Sequence, residues 1–260
     1  MDREITEADY VSPNWNNAGW WDNFYREKLE TGMAESFTER DPRHLLWVTG
    51  KFGFASPLKI LDAGTGISYL SDLAVYMGHK VVRIDKSPFA VETCRTREVP
   101  VGKLAACLQY YFTTFYTKNG YYCCDRHTNE RVDLVEKLLP MHREGGEILA
   151  CEVQDLNDPH LPERFGLFDI VLNENGFRNG SDEFIRKSLH SFYRLLKPGG
   201  ILIESNLNVL DRRKTIERMV EDAGFIRIDE WLFFNGASDN TLPAGKLQDK
   251  FAVCFWPTGC

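Results

Sequence analysis

Two aspartates and two glycines are spaced as in a nucleotide-binding site. Asp62 ends a short apolar run, and Gly64 and Gly66 follow it at once. Glycines let the backbone turn sharply and come close to a ligand. Asp85 lies about 20 residues further on, where a ribose-binding carboxylate is expected. A carboxylate there accepts hydrogen bonds from both ribose hydroxyls, so the four residues predict the binding of a nucleoside group.

Three elements have to position these residues. The apolar run at residues 58–61 predicts a buried strand, and residues 80–84 predict a second strand that ends at Asp85. Between them, apolar residues at helical spacing predict a helix over 67–77, capped by Gly78. A strand, a glycine turn and a helix present backbone N–H groups to a ligand. The alternative is that Gly64 and Gly66 only form a tight turn.

The glycine spacing separates two classes of cofactor. A dinucleotide-binding fingerprint has a third glycine that falls on position 69, and this chain has Tyr69 there. An NAD-dependent oxidoreductase therefore remains only an alternative. The Asp62–Gly64–Gly66 pattern instead resembles motif I of the class I S-adenosylmethionine-dependent methyltransferases. Ser68 stands where that family usually has its third glycine.

Later segments add to the resemblance. Residues 147–153 predict a third strand, and residues 196–200 match a helix-to-strand turn that is typical of the family. The resemblance implies that Asp155 meets the adenine amino group and that the backbone amide of Leu156 meets a ring nitrogen. Alternatively, Asp155 caps the turn that follows it. The matching parts are roughly residues 58–97 and 147–256.

A fourth predicted strand, residues 168–173, ends in four residues expected to face the reaction centre. Ligands of open α/β sheets bind beyond the carboxyl ends of the strands. Asn173 is therefore predicted to contact the cofactor. Glu174 is the first candidate for a general base, needed if the acceptor is a hydroxyl or an ammonium group. His44, His127 and Tyr10 are weaker candidates.

The resemblance implies an α/β fold of Rossmann-like methyltransferase type. The sheet is expected to have seven mostly parallel strands, with an antiparallel last strand reached through a hairpin between residues 225–233 and 250–256. We expect a methyltransferase domain at 58–260, preceded by a helical cap at residues 1–57. Residues 98–146 are longer than a simple connection and predict a helical insertion, which serves as a substrate lid or a homodimer contact.

Two possible metal sites are weak. Cys123, Cys124, Asp125 and His127 lie together, but adjacent cysteines are poor zinc ligands and no second pair of the right spacing exists. Asn173 and residues 204–206 carry the oxygen ligands that magnesium prefers. Catechol-type O-methyltransferases, whose magnesium site this arrangement resembles, have an aspartate where this chain has Asn173. We therefore predict no metal.

Composition limits the partners and the cell compartment that we expect for this chain. The chain has 260 residues, a net charge of −7 and a pI near 5.5, which disfavour nucleic acid as the partner. It has no apolar run long enough to span a membrane and no export signal at its start, and its seven cysteines are then expected to be reduced. These features predict a cytoplasmic enzyme without a membrane partner.

The functional prediction is an S-adenosylmethionine-dependent methyltransferase that modifies an oxygen or nitrogen atom of a small molecule. The alternatives are a methyltransferase for protein or RNA and a non-catalytic scaffold with the same fold. A scaffold has no need of Asp62, Gly64, Gly66, Asp85 and Asp155, so their presence disfavours it.

Overall fold

A computed structural model describes residues 16–31, 57–98, 144–174, 176–177, 180–205, 212–228 and 251–255. The helices in these ranges are α1 (Ala18–Glu30), α2 (Leu70–Tyr76), α3 (Pro88–Thr96), α4 (Leu161–Phe165), α5 (Asp182–Leu195) and α6 (Arg213–Asp222). The strands are β1 (Lys59–Ala63), β2 (Lys80–Asp85), β3 (Glu147–Val153), β4 (Phe168–Glu174), β5 (Leu196–Ser205), β6 (Ile226–Ile228) and β7 (Phe251–Phe255). Most of the predicted insertion at 98–146 lies outside the described residues.

All seven strands form one sheet in the order β3-β2-β1-β4-β5-β7-β6. The α/β class and the parallel character of the sheet are therefore confirmed. Strand β1 pairs in parallel with both β2 and β4. The chain first adds β2 and β3 on one side of β1, and then β4 and β5 on the other. This reversal makes the carboxyl end of β1 the topological switch point, where ligands of open α/β sheets bind.

The prediction of an antiparallel last strand is wrong. Strand β7 runs parallel to β5, with Ile201 opposite Phe251, and also parallel to β6. Parallel neighbours cannot be joined by a tight hairpin, because the chain must return to the starting edge before the next strand begins. The polar composition of the linking residues predicted a turn but carried no information on strand direction. Residues 229–250 lie outside the described residues.

Local sequence signals explain two of the helices well. At the start of α3, Ser87 accepts a hydrogen bond from Ala90 N at 3.0 Å, and Pro88 occupies the first helical position. At the start of α5, Ser181 caps Phe184 N, and two acidic residues lie in the first turn. Helix α2 starts at Leu70, later than the spacing predicts, because the glycine turn extends through Tyr69.

The main core lies on the face of the sheet covered by α5 and α6. It is formed by aromatic and aliphatic side chains from β4, β5 and both helices, all fully or nearly fully buried. Among these core residues are Phe168, Val171, Leu189, Phe192, Leu202, Ile216 and Val220. Strand β5 begins directly at Leu196, so residues 196–200 belong to the strand rather than to a separate turn. Within the described residues, none of the helices has the length and apolarity needed to cross a membrane.

Candidate functional site

The glycine turn lies at the switch point, against the end of β4. Gly64 and Gly66 have φ values of 69° and 53°, in the left-handed region that favours glycine. A Cβ added to Gly64 would lie 3.8 Å from Gly176 Cα, so this turn and the segment after β4 touch. The register places Asp62 opposite Leu172, one residue before Asn173. The fold thus brings together three regions that the sequence singled out separately.

Hydrogen bonds fix the turn to β1 and β2. Asp62 is fully buried, and its Oδ2 accepts a hydrogen bond from Thr65 Oγ1 at 2.7 Å. The backbone N–H groups of Gly64 and Thr65 both donate to the carbonyl of Ile84, at 2.9 and 3.0 Å. Asp62 therefore supports the turn from within the protein.

Asp85 closes the other side of the turn. Its Oδ2 accepts a hydrogen bond from Gly66 N and its Oδ1 accepts one from Ser87 N, each at 2.8 Å. A carboxylate offers about four acceptor positions. These two contacts hold the carboxylate against the turn, and the residue is 5% exposed. The donor and acceptor chemistry at Asp85 thus fits a ribose diol.

Helix α1 covers the glycine turn. Its Asp22 Oδ1 accepts hydrogen bonds from Ser87 Oγ at 2.5 Å and from Phe89 N at 3.1 Å. Tyr25 of the same helix packs against Ile67 and Ala90. The sequence predicted a helical cap at residues 1–57 but did not indicate a role for Asp22, because a single aspartate on an amphipathic helix carries no signal of its partner.

Lys86 lies next to Asp85 and was also missed. Its Nζ donates to Asn16 Oδ1 at 2.6 Å and lies 3.7 Å from Asp155 Oδ2. The lysine therefore links the residue before the N-cap of α1 to the loop after β3. The signal for it was its position beside the predicted ribose-binding residue, at the end of β2.

Asp155 has the geometry of a turn cap. Its Oδ1 accepts a hydrogen bond from Asn157 N at 2.9 Å, while its side chain remains about half exposed at 47%. Leu156 is buried in the core that faces α5. The loop is fixed to β2 because Gln154 N donates to Asp85 O at 2.9 Å. Asp155 and Leu156 thus lie close to Asp85, at the same edge of the sheet.

Asn173 pairs with Glu204 at the carboxyl ends of β4 and β5. Both side chains are fully buried, and Asn173 Nδ2 donates to Glu204 Oε2 at 2.5 Å. Asn173 Oδ1 has no hydrogen-bond partner among the described residues, and a Cβ on Gly176 would lie only 2.0 Å from it. The sequence predicted a cofactor contact for Asn173 and raised both residues as possible magnesium ligands, but it did not indicate that their side chains pair.

The structure describes the remaining predicted site residues only in part. Glu174 is the last residue of β4, opposite Ser205, but its side chain lies outside the described residues. Tyr10, His44 and His127 also lie outside them, as do Cys123 and Cys124. Within the part of the chain that the structure describes, no group of three or more His, Cys, Asp or Glu side chains is arranged to hold a metal ion.

No protein-family model matches the sequence, and no curated protein matches it. The chain is similar to several solved structures. One is a TehB-like SAM-dependent methyltransferase from Corynebacterium glutamicum ATCC 13032 Kitasato, with 14% identity, 80% of this chain and 84% of that chain covered, and a TM-score of 0.40. Another is the rRNA methyltransferase aviRa from Streptomyces viridochromogenes, with 15% identity, 61% and 69% covered, and a TM-score of 0.35.

A third solved structure concerns the conversion of a disulfide bond into a thioacetal group during echinomycin biosynthesis. It has 16% identity, a TM-score of 0.37 and 63% of this chain covered. The present chain spans 49% of the length of that protein. The fold itself follows from the strand order of the sheet and from the glycine turn.

Proposed function

We propose that this protein, whose chain has the fold of class I methyltransferases, binds S-adenosylmethionine and transfers its methyl group to a small molecule. The observation that carries the proposal is the pairing of Asp85 with Gly66 N at the switch point. It sets a carboxylate beside a left-handed glycine turn, at the carboxyl end of β2. That combination supports recognition of a nucleoside whose remaining part extends along the turn.

Each part of the cofactor has residues in this chain that can hold it. Asp85 would accept hydrogen bonds from the ribose hydroxyls, and the turn at Gly64 and Gly66 would approach the amino-acid part. Asp155 and the backbone of Leu156 would meet the adenine ring. Asn173, buried at the end of β4, would lie beyond the turn with its Oδ1 as an acceptor.

The bound cofactor supplies an activated methyl group on a sulfonium centre. The residues of the chain then have to position the reactants and exclude water. Helix α1 suits the second task because it covers the turn through Tyr25 and is fixed by Asp22. If the acceptor loses a proton during transfer, Glu174 at the carboxyl end of β4 is the proposed general base.

A small, flat acceptor is favoured by the rings of α1. Trp20 stacks on Phe24 with centroids 5.5 Å apart, and Trp21 stacks on Tyr25 at 5.9 Å. Such faces bind planar groups well. The net charge of −7 disfavours a polyanionic substrate such as RNA. Methylation of protein or RNA, and a scaffold without activity, remain the alternatives that the experiment must separate.

Titration with S-adenosylhomocysteine, followed by calorimetry, tests the cofactor. We expect a dissociation constant in the range of about 1 μM to 1 mM that is typical of enzyme ligands. Asp85→Ala should weaken binding, whereas Asp158→Ala, in the loop after β3, should not. Binding of NAD in place of S-adenosylhomocysteine would support the oxidoreductase alternative and contradict the proposal.

Methyl-labelled S-adenosylmethionine tests the acceptor. The protein is incubated with a cell extract divided into small-molecule, protein and RNA fractions. Label in the small-molecule fraction supports the proposal, and label in either other fraction identifies the corresponding alternative. Cofactor binding without transfer to any fraction favours the scaffold.

A further inference from the structure

Three successive carbonyls at the back of the glycine turn are held by side chains of α3 and its C-cap. Cys94 Sγ donates to Gly66 O at 3.2 Å. Arg97 Nη1 donates to Ile67 O at 2.7 Å, and its Nη2 donates to Ser68 O at 2.6 Å. One guanidinium group therefore bridges two consecutive peptide units, which a single point charge cannot do with the same geometry.

Arg97 is itself held in place. Its Nη2 also pairs with Asp72, and its Cζ lies 4.0 Å from the centre of the Tyr69 ring. Asp72 Oδ1 pairs in turn with Arg83 Nη2 at 2.6 Å. The side chains of Arg97 and Asp72 are only 10% and 16% exposed. The ion pairs are thus shielded from solvent, and the Arg97 fork has one defined orientation.

Arg83 keeps its charge in this arrangement. Burial by itself would lower the pKa of Arg83, but the neighbouring Asp72 carboxylate raises it above its ordinary value. Arg83 Nε also donates to Ser71 Oγ at 2.7 Å, which ties the pair to α2. The two arginines and Asp72 therefore form a permanent ionic support behind the turn.

The direction of the carbonyls determines where the N–H groups point. In a trans peptide unit, the C=O of one residue and the N–H of the next point in opposite directions. Cys94 holds the carbonyl of Gly66 and Arg97 holds that of Ser68, so the N–H groups of Ile67 and Tyr69 are directed to the opposite side of the turn. The Ser68 N–H lies between them and donates to Thr65 O at 3.4 Å, within the turn. N–H groups that face the same side of a turn can donate together to an anionic oxygen.

We infer that Arg97 is a positioning residue that orients the N–H groups of the turn toward the carboxylate of the cofactor's amino-acid part. This inference rests on the proposed function, since that carboxylate is the anionic group of S-adenosylmethionine. Ser68, which departs from the family's glycine pattern, supplies one of the carbonyls that Arg97 holds. Arg97 touches no ligand in this scheme, and it acts through the backbone.

Two ligands and three variants test the inference. S-adenosylhomocysteine carries the amino-acid part, and 5′-methylthioadenosine has the same nucleoside without it. Arg97→Gln removes the bridge, and Arg97→Lys keeps the charge without the fork. Arg95→Gln is the matched control, because Arg95 bonds to Cys151 O at 2.8 Å and to Glu92 but not to the turn.

We expect both Arg97 variants to weaken S-adenosylhomocysteine binding by about tenfold or more, the effect of losing one charge-assisted contact. Binding of 5′-methylthioadenosine should change by less than about threefold, because the nucleoside part does not use these N–H groups. Arg95→Gln should bind both ligands as the wild type does. This difference between ligands is a readout that general destabilisation would not produce.

The results that would contradict the positioning role of Arg97 differ from those that would contradict the proposed function. If Arg97→Lys is folded and binds S-adenosylhomocysteine like the wild type, or loses both ligands equally, the positioning role is wrong while the proposed function stands. If the wild type binds neither ligand, the proposed function fails and this inference fails with it. Should Arg97→Gln not fold, the folded Arg97→Lys variant decides the question.

Discussion

The ring of Tyr25 lies directly against Gly66. A Cβ added to this glycine would be 2.9 Å from the Tyr25 hydroxyl oxygen and 3.2 Å from two ring carbons. The N-terminal helix and the glycine turn are therefore complementary surfaces. The absence of a side chain at position 66 serves the protein's own packing as well as the close approach of a ligand.

Gly66→Ala should destabilise the protein and weaken cofactor binding. A non-glycine residue in the left-handed region costs about 1–2 kcal/mol, and here the new methyl group also pushes on Tyr25. We expect the free energy of unfolding in urea to fall by about 2 kcal/mol or more. The affinity for S-adenosylhomocysteine should fall as well, because the turn has to shift.

Gly199→Ala is the matched control for this substitution. Gly199 also has a left-handed φ, of 76°, but a Cβ there would have nothing within 4 Å. This variant carries the backbone strain without the contact to α1. An equal loss of stability in both variants, with unchanged ligand binding in both, would show that the Tyr25 contact has no role.

Asp22→Ala should loosen α1 from the cofactor site. It removes the acceptor for both Ser87 Oγ and Phe89 N. Loss of a buried partner costs about 1–3 kcal/mol. We expect faster dissociation of S-adenosylhomocysteine in stopped-flow measurements, with the central sheet still folded by circular dichroism. Glu27→Ala, on the exposed side of the same helix, should leave the dissociation rate unchanged.

The parts of the site encoded by neighbouring residues could be predicted from sequence. Asp62 and the Ser87 cap each bond to a residue three positions further on, so residue type and spacing are sufficient to indicate them. The positive φ values of Gly64 and Gly66 are likewise a local property of the turn. The end of β2 at Asp85 followed from the apolar run before it. The α/β class was implied by the resemblance of these segments to the class I methyltransferases.

Contacts between distant segments could not be predicted in this way. Arg97 reaches the turn from the end of α3, and Asp22 reaches Ser87 from α1; neither pairing leaves a periodic pattern. The direction of β7 was missed for a related reason. A short apolar strand pairs equally well in either direction by composition, so its orientation depends on the path of the connecting segment.

Asn173→Asp should make stability depend on pH. The new carboxylate would lie against Glu204, whose Oε2 is now 2.5 Å from Asn173 Nδ2. Two buried carboxylates at this distance cannot both ionise at low cost, so one pKa of the pair rises in the folded state. The protonated carboxyl group of the pair adds to the stability of the folded protein at low pH. This contribution is lost as the pH rises through the raised pKa.

Urea unfolding at two pH values checks this expectation. Relative to the wild type, Asn173→Asp should be clearly less stable at pH 8 than at pH 5. Asn23→Asp, on the exposed face of α1, should show no such difference. A pH-independent loss in Asn173→Asp would mean that the introduced carboxylate finds solvent or a cationic partner.

Cys151 should make the folded state less stable in alkaline solution. Burial, aided by the nearby Cys94 thiol, raises the pKa of Cys151 from 9.0 to about 11. The unfolded chain therefore releases this proton first as the pH rises, and ionisation favours the unfolded state. The contribution of the protonated Cys151 thiol to the free energy of unfolding is complete below pH 9 and is lost between pH 9 and about 11.

The variant Cys151→Ala removes this contribution while every other cysteine is kept. We expect the difference in unfolding free energy between wild type and Cys151→Ala to be constant from pH 7 to 8.5 and to shrink from pH 9 to 10.5. Parallel curves over the whole range would mean that Cys151 has an ordinary thiol pKa in the folded protein.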